Sequence, residues 1–154
     1  MKKQSYFKKF AAVAMAAVMT FAFTACGSDD AGTEANGGAD ASAKFVIGGI
    51  GPTTGGAAVY GQAVKNAAEM AAEEINAAGG INGYPVEFLW QDDEHDTEKA
   101  VNAYNSLKDQ GMQMLMGTVT SAPCTAVVAL TSKDNMFQLT PSGSAVEYIK
   151  GDNA

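Results

Sequence analysis

Arginine is absent from this chain, histidine and tryptophan occur once each, and two cysteines and four prolines stand among its 154 residues. Each scarcity closes off a class of function. Ten lysines face 17 carboxylates, and four of those lysines fall within the first nine residues. From residue 26 onward, six lysines stand against all 17 acids, a formal charge of −11. Such a surface repels a phosphate backbone, so no nucleic-acid partner is expected. Cys26 and Cys124 cannot build a disulfide framework or a thiolate zinc centre. With His95 as the lone imidazole, no metal and no cofactor are expected, and Cys124 reads as a small apolar side chain within a core. The uncharged run 10–23 has 14 residues, short of the roughly 20 a helix needs to cross a bilayer.

What is present at the amino end is a sorting signal. Lys2, Lys3, Lys8 and Lys9 begin it, the uncharged stretch follows, and Thr24-Ala25-Cys26-Gly27 closes it. A basic start, a short apolar centre and a small residue before the cut are the parts of a secretory signal. The junction resembles a bacterial lipobox with Cys26 as the lipidated residue, although Phe23 stands where that motif carries an aliphatic side chain. Ordinary secretion with an incidental cysteine is the alternative. Residues 1–25 are therefore expected to be a lipoprotein signal peptide, and the mature chain to work outside the cytoplasm, anchored to the cell membrane by lipid on Cys26. Residues 26–43 contain no large apolar side chain, the composition of a flexible tether. Residues 44–154 remain for folded structure, enough for one small domain.

Within that segment, short apolar runs alternate with helical periods. Residues 44–50 are a β-branched run ended by Gly51-Pro52, the pattern of a buried strand. Over 57–78 the period lengthens to 3.6, with Val64, Ala67, Ala68, Ala71 and Ile75 on one face and Gly79-Gly80 as the stop. A second strand is predicted at 85–90. A second helix follows, capped by Asp96 or Thr97, burying Ala100, Val101, Tyr104 and Leu107, and ended by Gly111. A third strand at 112–116 precedes a helix with Pro123 in its first turn. That helix is expected to bury Ala126, Val127 and Leu130 and to run to about Lys133. A fourth strand at 136–139 and a short helix at 145–149 complete the series. Phe88, Trp90 and the methionines of the third strand read as core. Strands alternating with helices predict an α/β fold, a parallel sheet with helices on both faces.

Ligands of such sheets bind outside the carboxyl ends of the strands. Three of the four loops found there are small, hydroxylated and uncharged: Gly51-Pro52-Thr53-Thr54-Gly55-Gly56, Gly117-Thr118-Val119-Thr120-Ser121 and Ser142-Gly143-Ser144. They offer hydroxyls, backbone amides and helix N-termini, which suit a carboxylate or a zwitterion. The same residues are also what any tight βα loop uses. Tyr60, beside the first loop, reads as a platform over a ligand or as an ordinary half-buried helix residue. The fourth loop, Gln91-Asp92-Asp93-Glu94-His95-Asp96, invites an acid–base or metal reading through Asp92, Asp93 and His95, against a solvated turn and cap. The glycines at 49 and 51 do not make a dinucleotide fingerprint, because the third would fall at Thr54 and Pro52 interrupts the turn.

The run from Ile47 through GPTTGGAAVYGQAVKNAAEMAAEEINAAGGINGYPVEF, with QDDEHDTEKAVNAYNSL, GTVTSAP and LTPSGS after it, closely resembles bacterial amino-acid binding lipoproteins. These are the substrate-binding components of branched-chain-type amino-acid ABC importers, of the type I periplasmic-binding-protein fold. The resemblance covers residues 45 to about 150. It implies a two-lobed receptor that closes on an amino acid, branched-chain or aliphatic, and delivers it to permease subunits without catalysis. Thr120, Ser121, Ser142, Gly143 and Ser144 would hold the α-carboxylate and α-amino group, with Tyr60 lining the cleft and no catalytic residue. Some relatives join the loops after the second and third strands by a disulfide, and His95 and Thr120 occupy those places here. Full-length relatives add a second lobe, a hinge and an acidic residue completing the ammonium site, so the sequence reads as an N-terminal part that would bind free amino acids weakly by itself. Two alternatives stand beside this reading: the same fold taking an amide, a urea-like solute or an aromatic acid for uptake or sensing, and an extracytoplasmic enzyme built on Asp92, Asp93 and His95.

Overall fold

The computed structural model describes residues 43–149. The expected signal peptide at 1–25, Cys26 and all but the last residue of the expected tether at 26–43 lie outside the described residues. The elements run β1 (Phe45–Ile50), α1 (Ala58–Ala77), β2 (Val86–Gln91), α2 (Thr97–Asp109), β3 (Met114–Gly117), α3 (Ser121–Lys133) and β4 (Gln138–Leu139), followed by a 3₁₀ turn at Val146–Ile149. Every strand pairing is parallel, in the order β2-β1-β3-β4. The alternation read from the sequence is therefore the alternation of the fold, with strand limits moved by one or two residues.

Local chemistry explains the helix limits. The Asp96 carboxylate accepts from the Lys99 amide at 2.8 Å, the N-cap bond that starts α2. Past its end, Gly111 takes φ 86°, a left-handed value glycine adopts without a Cβ penalty. Gly61 is required for a different reason. A Cβ there would lie 1.9 Å from the Pro52 carbonyl oxygen, so its absence lets α1 pass directly over the loop that leaves β1.

One sheet face carries the core. Ile50 and Leu115 pack there with Ala100, Ala103, Tyr104 and Leu107 of α2 and Val127 of α3. The buried Tyr104 hydroxyl is satisfied by donating to Asp134 at 2.8 Å. Burial, with help from Asp134, pushes the Tyr104 phenol above its ordinary range.

The other face differs from expectation in two respects. Phe88 and Trp90 lie on β2, the edge strand, and are only partly buried, as are Met114 and Met116; Met112 alone among these aromatics and methionines reaches the core cluster. The inward stripe of α1 is also rotated: Gly61 is buried and Val64, Lys65, Ala68 and Ala72 are half-buried, while Ala67, Ala71 and Ile75 are exposed. Seven of the twenty α1 residues are alanine, so apolar surface is available on several sides and tertiary contact chooses among them. On α3, Val127 is buried as expected, Ala126 and Leu130 only half-buried, and Cys124 fully packed.

Candidate functional site

The strand order reverses at β1, so the chain leaves β1 and β3 in opposite directions, the switch point at which open α/β sheets form a crevice outside the carboxyl ends of the strands. Four loops surround that crevice, and side chains join each to a neighbour. Asp92, just past β2, accepts the Thr53 amide on Oδ1 at 2.9 Å and the Thr54 hydroxyl on Oδ2 at 2.7 Å. It thereby ties the loop after β2 to the loop after β1. Burial pushes the Asp92 carboxyl upward, but the bonds from Thr54, Thr53 and Glu94 together outweigh it and hold it at about 2.

The turn that follows is strained. Glu94 and His95 both have positive φ, 50° and 64°, which costs an L residue about 1 kcal/mol each. The preceding carboxylates hold it closed: Asp92 Oδ1 accepts from the Glu94 amide and Asp93 Oδ1 from the His95 amide, each at 2.9 Å. Asp93 is fully buried and its Oδ2 has no partner among the described residues. Burial, chiefly, pushes its carboxyl above the ordinary range. The turn aims the His95 ring across the end of β1, where Nδ1 lies 2.8 Å from Thr120 Oγ1. This contact joins the loop after β2 to the loop after β3.

Thr120 is the N-cap residue of α3 but makes no side-chain bond to the helix, so its hydroxyl is directed to His95 and the first-turn amides of α3 retain their donor capacity toward the rim. Beside it, Ser121 Oγ accepts the Ser144 amide at 3.2 Å. The Ser142 hydroxyl donates to the Val119 carbonyl at 2.6 Å, and Thr140 does the same to Thr118 at 2.8 Å while accepting the Gly143 amide at 3.0 Å. The segment after β4 is in this way sewn to the loop after β3.

The five expected residues Thr120, Ser121, Ser142, Gly143 and Ser144 accordingly form one polar cluster. Tyr60 stands apart from their hydrogen bonds, 61% exposed in the first turn of α1. No lysine lies in these loops. Ser121 keeps a hydroxyl proton to donate, because Oγ is the acceptor in its bond to Ser144; Ser142 has spent its proton on Val119 and keeps lone pairs. Donors and acceptors thus sit side by side, the arrangement a small zwitterion needs. Asp92 and His95 are bound into loop-joining contacts. Among the described residues, no three His, Cys, Asp or Glu side chains gather as metal ligands. The roles of Thr53, Thr54 and Asp92 were not readable from the loop residues one by one; the signal was a carboxylate at one strand end facing hydroxyls at the next.

Comparison with known proteins identifies the family of the chain. Residues 44–153 match the family model described as periplasmic binding protein. The chain is 36% identical over 110 residues to a Leu/Ile/Val-binding protein of Rhizobium johnstonii, covering 71% of this chain and 30% of that one. It is 35% identical over 97 residues to a leucine-, isoleucine-, valine-, threonine- and alanine-binding protein of Pseudomonas aeruginosa, covering 63% and 26%. In three dimensions it is similar to the substrate binding protein of a branched-chain amino acid transporter from Streptococcus pneumoniae, solved in complex with isoleucine, with a TM-score of 0.68, 31% identity, and coverage of 71% and 32%. The chain spans between about a quarter and a third of the length of these relatives. A match that runs unbroken from β1 past the last described turn, on the type I fold its solved relatives share, makes this chain a member of the periplasmic binding protein family.

Proposed function

We propose that this chain supplies the amino-terminal ligand-binding lobe, residues 44–154, of the extracytoplasmic solute-binding component of an ABC importer. The ligand is an amino acid of branched-chain or other aliphatic type, delivered to permease subunits in the membrane. Membership of a periplasmic family supports the extracytoplasmic setting, and the basic, apolar and small-residue order of residues 1–25 supports export, with Cys26 as lipid anchor and 26–43 as tether. No reaction is catalysed: Thr120, Ser121, Ser142, Gly143 and Ser144 exchange water for fixed dipoles around the α-carboxylate and α-amino group, and Tyr60 forms an apolar wall.

The observation that carries this reading is the contact from Ser144 N to Ser121 Oγ. It joins the loops after β3 and β4 at the N-terminus of α3, so that helix amides, a free hydroxyl proton and hydroxyl lone pairs converge without a competing cation. The test is an amide NMR titration with leucine, isoleucine and valine, and in parallel with urea and a dihydroxybenzoate. Saturable shifts confined to Thr120, Ser121, Gly143 and Ser144 with the amino acids, and lost in Ser121→Ala, are expected. Shifts at those amides only with urea or the aromatic acid would move the assignment to the alternative ligand class, and shifts centred on Asp92 to His95 would overturn the site.

A further inference from the structure

We infer that Asp92 and His95 are positioning residues of the rim, a polar girdle that fixes the loops after β1, β2 and β3 in one register and orients the Thr120 hydroxyl toward the ligand. The inference rests on the binding reading above and extends it to side chains that are not themselves proposed ligand contacts.

The topology makes the girdle necessary. β2 and β3 are not neighbours, since β1 lies between them. Neighbouring strands stand roughly 4.8 Å apart, so the loops after β2 and β3 begin about two such spacings from each other and no backbone ladder joins them. The two left-handed residues Glu94 and His95 fold the loop after β2 back over the end of β1, and the ring of His95 closes the remaining gap to Thr120 at 2.8 Å. On the near side, Asp92 holds the loop after β1 through one amide and one hydroxyl. Both carboxylate oxygens are used, and the Glu94 amide shares Oδ1. On the far side, Thr120 is followed directly by Ser121, which carries the link to Ser144. The chain of contacts is therefore continuous from Thr53 to Ser144.

His95 also sets a polarity. Where Nδ1 is the acceptor, Thr120 donates its proton to the ring and turns lone pairs to the crevice, ready for an ammonium; where Nδ1 carries the proton, Thr120 accepts and can donate to a carboxylate. A tie of this kind does more than brace a loop, because it selects which end of a zwitterion Thr120 serves.

His95 is the only histidine, so its imidazole nitrogens give unambiguous NMR signals in the full chain. Thr120→Val is expected to displace the Nδ1 resonance of His95, and Thr120→Ser to restore it. His95→Phe should speed amide hydrogen exchange at residues 118–122, with His95→Gln recovering most of the protection. Asp92→Ala should do the same at residues 53–55, and Asp92→Asn, whose amide can still accept from Thr53 and donate to Thr54, should recover it. Leucine affinity is expected to fall about three- to tenfold in His95→Phe, the worth of one hydrogen bond. An Nδ1 resonance indifferent to Thr120→Val, or exchange unchanged in both His95→Phe and Asp92→Ala, overturns the girdle. If the unsubstituted chain shows no amino-acid shifts while the resonance and exchange respond as stated, the girdle stands and the ligand reading alone fails.

Discussion

The two faces of the sheet are built from the same strands yet closed to different degrees. On the α2/α3 face, Ile50, Leu115, Tyr104, Leu107 and Val127 are all at 0% exposure. On the α1 face Val86 is buried, but Phe45, Ile47, Phe88, Trp90, Met114 and Met116 are each half-buried, and Leu139 is more than half exposed. Registered partners such as Ile47, Phe88 and Met114 point to the same side. A Cβ on Gly48 would meet Met112 and Leu107, whereas one on Gly49 would fall 2.4 Å from the Trp90 ring and 2.7 Å from Phe88. The difference teaches where stability resides. Methylenes on the closed face are out of water and densely contacted, while most of those on the α1 face, Val86 excepted, retain much of their hydration.

Substitution on the two faces measures that contrast directly. Leu107→Ala removes a fully buried side chain of the closed face and is expected to cost about 2–5 kcal/mol. Phe88→Ala deletes a larger side chain, which in a closed core would cost about 3–5 kcal/mol. On the α1 face it should cost less than Leu107→Ala. Urea unfolding followed by far-ultraviolet circular dichroism checks both. Equal losses would mean that the α1 face is as tightly closed as its opposite.

This contrast also marks what could be read from the residues alone. The β/α alternation was legible because β-branched runs and helical periods differ sharply, and Asp96, Gly111 and Pro123 punctuate them. The rotation of α1 was not, because alanine at position after position makes several faces equally apolar, and packing against β2 decides. Phe88 and Trp90 looked like core because they are large and apolar; that β2 is an edge strand is a property of the strand order, which no local pattern encodes. Within the site, strand-end position pointed to the hydroxylated loops as wholes, and the family likeness alone singled out Thr120, Ser121, Ser142, Gly143 and Ser144 within them. The His95–Thr120 contact joins residues 25 apart over an intervening strand, and the QDDEHD run by itself reads as a solvated turn.

The attachment of α1 offers a second, smaller test of the comparison. Asn76 reaches the edge strand with both ends of its side-chain amide, donating to the Val86 carbonyl at 2.8 Å and accepting the Val86 amide at 2.7 Å. Polar contact here supplements the modest apolar contact of α1. Asn76→Ala leaves a part-buried N–H and C=O without those partners and should cost about 1–3 kcal/mol. Thermal unfolding checks the size. Amide exchange checks the place, since Val86 should lose protection while Leu115 on the closed face keeps it.

Acid titration separates the rim from both faces, because apolar packing does not respond to protons and Asp92 does. The folded carboxyl, at about 2, lies below its ordinary value of 3.8. Its contribution is therefore fully present above the unfolded pKa and is lost as pH falls from about 4 through 2. The shift corresponds to about 2 kcal/mol at most. Because Asp92 is partly solvated, screening reduces the contribution to about 1 kcal/mol or less. Asp93 acts in the opposite sense: its raised value means that the folded state favours the protonated carboxyl, so acid relieves a cost there. Subtracting the stability of Asp92→Asn from that of the unsubstituted chain cancels the apolar faces, which are common to both, and leaves the effect of the Asp92 charge together with its repulsion of Asp93. The difference is expected to be constant near neutrality and to shrink below pH 4. A difference that stays flat down to pH 2 would mean that the charge on Asp92 adds nothing to the neutral hydrogen bonds an asparagine can make, and that the tie between the loops after β1 and β2 is one of geometry alone.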